Sequence, residues 1–208
     1  MIMSRLFRFY VDLIAANIPW IKRTAWWAVF WFAVGVIAFL LRPDTAPKFL
    51  QFLEKVFREI LGDREPVLNL STVLLIFKNN IEAALMVLFG GIVLGLVPLV
   101  SLALNFFITG YILALFSMRG SEGFGLFLGS VVAHGIVEIP LFILAAAFGL
   151  RLGYFWQIES EGSNWQKLLS CFKDNLKLVP ALAVGFFLAA LLEVFVSGRL
   201  IALLFPSS

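Results

Sequence analysis

The apolar positions of this chain fall into long uninterrupted runs separated by short polar stretches. Residues 24–41, TAWWAVFWFAVGVIAFLL, carry no charge. At about 1.5 Å per residue this is the length of a tilted membrane crossing. Its tryptophans, Trp26, Trp27 and Trp31, suit the headgroup level near its start. A second run, 81–118, is too long for one crossing and contains Pro98 and Asn105. A turn at Pro98 divides it into helices over about 79–97 and 99–118. Further crossings are predicted over about 124–150 and 177–204, with Arg119-Gly120-Ser121-Glu122-Gly123 as the loop before the first of these.

Elsewhere the apolar residues recur on one helical face. Over 2–18, Met3, Leu6, Phe7, Tyr10, Leu13 and Ile14 are interleaved with Arg5, Arg8 and Asp12. Over 45–61, Phe49, Leu50, Leu53, Val56, Phe57, Ile60 and Leu61 form a stripe opposite Lys48, Gln51, Glu54, Lys55, Arg58 and Glu59, and Thr45 with Pro47 marks the start. Over 164–176, Trp165, Leu168, Leu169 and Phe172 lie beside Lys167 and Lys173. These three segments predict amphipathic helices lying along a bilayer or a partner. The expected fold is all-α: one polytopic membrane bundle over 1–208, with about five transmembrane helices and interfacial helices.

Composition explains why the solvent must be lipid. The chain is 62% hydrophobic and only 14% charged, with a mean hydropathy of +0.99. A soluble domain is about half apolar and about a quarter charged. The net charge of +3 comes with no arginine-rich stretch, so it reads as cytoplasmic loops beside anionic lipid and not as a nucleic-acid surface. The lone Cys171 forms no internal disulfide, and the N-terminus lacks the pattern of a signal peptide. Arg5, Arg8, Lys22 and Arg23 point to a cytoplasmic N-terminus in a multi-pass cell-membrane protein, although the 42–78 loop, placed outside, is also basic. Asn69-Leu-Ser71 matches a glycosylation tripeptide, a chance occurrence too common to carry weight.

Ionisable groups at membrane depth each require a reason. His134 and Glu138, four apart, share one helix face in the fourth crossing. They suit a mutually satisfying pair that locks helices together, a proton site, or part of a metal site. Zinc or another divalent metal needs further ligands, and His134 is the sole histidine, so Glu82 is the candidate third ligand. No cofactor is otherwise implied. Asn79, Asn80 and Asn105 are candidates to hydrogen-bond across helices, which makes Asn79, Asn80, Glu82, Asn105, His134 and Glu138 a predicted buried polar cluster. Glu193, mid-span in the fifth crossing, is expected to face protein or a cavity. HExxH, its reverse and GxSxG are absent, so no catalytic residue is named. Gly91-xxx-Gly95, Gly125-xxx-Gly129 and Gly149-xxx-Gly153 are close-packing spacings that also suit a homodimer.

Three landmarks in order carry a family resemblance: Lys78-Asn79-Asn80-x-Glu82-Ala83, Asn105-x-x-x-x-Gly110, and Ala133-His134-Gly135-x-x-Glu138. Together they resemble the stage II sporulation protein M family over roughly 70–208, and loosely before that. Phe106 departs from the Asn-Gly often found in the family's third span. The resemblance implies a non-enzymatic membrane scaffold that binds membrane or cell-envelope proteins, which in spore formers are peptidoglycan-degrading factors. Two other functions are consistent with the residues: a transporter or channel using His134 and Glu138 for protons or metal ions, and an intramembrane metal-binding protein.

Overall fold

A computed structural model describes residues 2–61, 69–118, 120–159 and 161–197, with the side chains of all of these except 2–4, 53–54, 56–61, 122, 126, 129–134 and 196–197. The elements are α1 (Ile2–Ala15), α2 (Ile18–Leu41), a 3-10 turn (Pro43–Thr45), α3 (Ala46–Leu61), α4 (Leu70–Gly90), α5 (Leu96–Ser117), α6 (Gly120–Gly153), a second 3-10 turn (Phe155–Gln157), α7 (Asn164–Leu192) and a π-helical turn (Glu193–Ser197). Among the described residues there is no strand. The 5 helices α2, α4, α5, α6 and α7 are long and apolar enough to cross a membrane. This is the all-α membrane bundle expected from the hydropathy pattern.

The helix ends differ from the sequence reading for local reasons. Pro98 does not make the turn between α4 and α5. It sits in the first turn of α5, where a missing N–H leaves no bond unmade. Gly91–Gly95 makes the turn instead, closing with Leu94 and Gly95 at positive φ (52° and 69°). Helix α4 starts at Leu70, well before 79, because Asn69 caps it: the Asn69 side chain accepts from Thr72 N–H at 2.9 Å. The glycosylation-like tripeptide is thus a helix start. Ser163 and Gln166 form a reciprocal capping box that starts α7, so the amphipathic 164–176 stretch and the fifth crossing are one continuous helix. The far end of that crossing, to 204, lies outside the described residues. Helix α6 already begins at Gly120, inside the stretch read as a loop.

Small residues set the packing. Helices α2 and α5 meet where Gly35 lies on the Phe107 carbonyl and Gly110 lies on the Phe32 carbonyl. Gly91, Gly95, Gly149 and Gly153 converge in one junction between the α4–α5 turn and the end of α6. Two of the three predicted glycine spacings are therefore used inside the chain; Gly129 of the third lies outside the described side chains. Leu88, Phe148, Leu178, Leu182 and Phe186 fill the core shared by α4, α6 and α7. Leu13 joins them, so the end of α1 packs on the bundle.

The two ends of the bundle differ. At one end, Trp20 of α2 stacks on Tyr154 after α6. Asp174 there bridges Arg151 and Lys177, each at 2.8 Å. At the other end α2 and α5 finish beside the start of α3, around Phe39, Ala46, Tyr111 and Ala114. The Arg42 guanidinium, hydrogen-bonded to Asp44 at that end, holds its carboxyl below the usual carboxylate range. The three tryptophans near the start of the first crossing have different surroundings. Trp26 faces outward, whereas Trp27 Nε1 donates to the Leu99 carbonyl at 3.2 Å and Trp31 Nε1 is buried.

Candidate functional site

The predicted polar cluster divides by depth and by face. Helices α4 and α6 run in the same direction, and Val87 meets Gly149. Counting back along both, His134 is level with Thr72 and stands about 15 Å along the axis from the level of Glu82. Glu82 also points outward, where it pairs with Lys78 at 3.8 Å. It is therefore not placed as a third ligand beside His134 and Glu138. Asn79 and Asn105 face outward as well, and Asn80 and Glu138 are half-buried. The Asn105 amide Nδ2 donates to the Ser101 carbonyl on its own helix, at 2.9 Å. The side chain of His134 lies outside the described residues. Among the described side chains, Asn79, Glu82 and Asn105 thus form an outward group on α4 and α5, apart from the half-buried Glu138 on α6.

At the level of the His134 backbone a different carboxylate is present. Helix α7 runs antiparallel to α6, and Gly185 faces Leu141. Seven residues from each contact put the backbone of His134 at the level of Leu192 and Glu193. Val194 and Ala190 pack on Val73, which fixes the same depth from the α4 side. Glu193 opens the π-helical turn, a local widening of the helix often found at functional sites. Both Glu193 and Glu138 are half-buried. Among the described residues no three His, Cys, Asp or Glu side chains converge as a metal site requires.

Sequence reading singled out Glu193 but did not link it to His134, because the link depends on Gly185 meeting Leu141 across the two helices. It missed Asn175 altogether. That residue is buried, and its Nδ2 donates to the Leu88 carbonyl at 2.8 Å. Leu88 is in the last turn of α4, where carbonyls lack helical partners; Ile92 N–H goes to Phe89. The signal was available: Cys171, Asn175, Leu178 and Leu182 recur on one helical face, and all are buried.

The outward group on α4 has the plainer geometry. Leu70, Leu74, Lys78, Glu82 and Met86 recur every four residues, and all face away from the rest of the chain. The Lys78 and Glu82 side chains are 69% and 65% exposed. They straddle Asn80, the midpoint of α4, and so lie at mid-depth of an apolar helix.

Comparison with known proteins places these features in a family. An uncharacterized protein of Methanocaldococcus jannaschii is 30% identical over 140 residues, covering 66% of this chain and 61% of that protein. The chain thus spans about three fifths of that relative's length. A second uncharacterized protein of the same organism is 26% identical over 126 residues, covering 60% of this chain and 70% of its own. No solved structure matches the chain. Residues 25–198 match the family described as stage II sporulation protein M, and the chain belongs to that family.

Proposed function

We propose that the protein is a non-enzymatic membrane scaffold that pairs with a second copy of itself and holds other membrane or envelope proteins. The observation that carries this reading is the outward placement of Lys78, Asn79 and Glu82 at mid-depth on α4. An ionised group facing lipid there opposes insertion by roughly 2.5–3.5 kcal/mol. Burial against a neighbouring helix, with the ion pair and the Asn79 amide satisfied across the contact, removes that penalty. A photo-crosslinking residue in place of Met86, on the same stripe, tests it in native membranes. Crosslinks to protein are expected, and the double change Lys78→Leu with Glu82→Leu should abolish them. Crosslinks to lipid alone would sink the reading.

A second reading rests on a separate observation. The backbone of His134 is at the level of Glu193, and Glu138 follows about one turn further along α6. Three titratable groups stepped along about one and a half helical turns are the elements of a proton or cation path. Protein reconstituted in liposomes should then pass protons or divalent cations down a gradient. Glu193→Gln should slow that flux at least about tenfold, a loss of about 1.4 kcal/mol. No flux under any imposed gradient removes this alternative.

A further inference from the structure

A cleft of about 620 Å³ opens beside the junction of α2, α3 and α5. Its floor is apolar: Ala38 and Leu41 of α2, Phe107 of α5, and Phe49 and Phe52 of α3. Its rim is polar and basic, with Arg42, Lys48, Thr45 and Tyr111. The apolar run of α2 stops at Leu41 and Arg42 follows, so the floor lies at hydrocarbon depth and the rim at headgroup level.

Arg42 and Lys48 bring two cations to the edge of the cleft. Asp44 takes the Arg42 guanidinium through Nε and Nη2, each at 3.0 Å, which leaves further N–H donors of that group for another acceptor. Lys48 adds a second cation on the same wall, giving two positive charges against one negative. Thr45 Oγ1 gives its single proton to the Arg42 carbonyl at 2.6 Å, so the Tyr111 hydroxyl is the donor in their 2.9 Å bond. That bond, with the Phe49 ring packed at 4.0 Å between centroids and tilted 39° to that of Tyr111, fixes the wall. The first turn of α3 also presents its positive dipole end here.

We propose that this cleft holds one membrane phospholipid with an anionic headgroup, its acyl chain on the Phe49–Phe107 floor and its phosphate at Arg42 and Lys48. A second copy of the chain or a peptide would have to cover the same rim with acidic side chains, and the α4 stripe carries its charge elsewhere. The site is independent of the scaffold reading.

The full chain, purified in a neutral detergent, is titrated with phosphatidylglycerol and with phosphatidylcholine, and retained lipid is counted by native mass spectrometry. One phosphatidylglycerol per chain should be retained about tenfold over phosphatidylcholine, whose phosphate is already offset by its own choline cation and so gains less from Arg42 and Lys48. Arg42→Gln with Lys48→Gln should bring that ratio near one. Ala38→Trp should displace both lipids by filling the floor. Should Ala38→Trp not fold, Phe52→Ala on the exposed side of the wall should weaken both equally. Equal retention of the two lipids by the natural chain, or an unchanged ratio in the folded double variant, would overturn the proposal.

Discussion

Asn175 shows what a single polar residue does in this bundle. Its amide closes the carbonyl of Leu88 at the end of α4 and so ties α7 to α4 at a buried point. Leucine at this position keeps the volume and removes the donor. The carbonyl then stays buried without its partner, a penalty of about 1–3 kcal/mol. Asn175→Leu should therefore unfold at a lower denaturant midpoint than the natural chain in mixed detergent micelles. The exposed neighbour change Leu176→Ala should leave that midpoint nearly unmoved. Residues of this kind were partly legible. Helical periodicity alone puts Asn175 on the buried face, but which carbonyl it serves depends on where α4 ends. The outward direction of Asn79, Glu82 and Asn105 was not legible, because a polar residue in an apolar run carries no sign of which face it occupies.

Among elements, the five crossings were readable because lipid demands long apolar runs, whereas their ends were set by caps that hydropathy does not weigh. Asn69 and the Ser163–Gln166 pair are short polar signals, and each moved a helix start. The glycine spacings were readable as close packing but not as to partner. Gly149 lies on the carbonyl of Val87 and Gly91 lies on the carbonyl of Gly149, so backbone meets backbone. A methyl group there has no flexible side chain to displace. Gly149→Ala should destabilise the bundle by about 1–3 kcal/mol through overpacking. Because this junction is internal, the variant should keep the oligomeric mass of the natural protein in detergent. A lower mass with unchanged stability would instead place Gly149 at a contact between chains.

Over the whole molecule the charges separate by end. Trp20 on Tyr154 joins the start of α2 to the end of α6, and this brings Lys22, Arg23, Arg151, Lys167, Lys173 and Lys177 to one end of the bundle. Only Arg151 and Lys177 of these share Asp174. At the opposite end stand fewer basic residues, Arg42 and, on α3, Lys48, Lys55 and Arg58. Basic residues near the ends of crossings resist translocation, whereas acidic residues contribute little. The Trp20 end should therefore be cytoplasmic and the Tyr111 end outside. Cys171 is buried, so single added cysteines report cleanly. A membrane-impermeant maleimide should label Lys48→Cys in intact cells and Lys173→Cys only after permeabilisation. The reverse pattern would invert the bundle and put the Arg42–Lys48 rim in the inner leaflet. Labelling of both positions in intact cells would mean that the charge asymmetry does not fix the orientation.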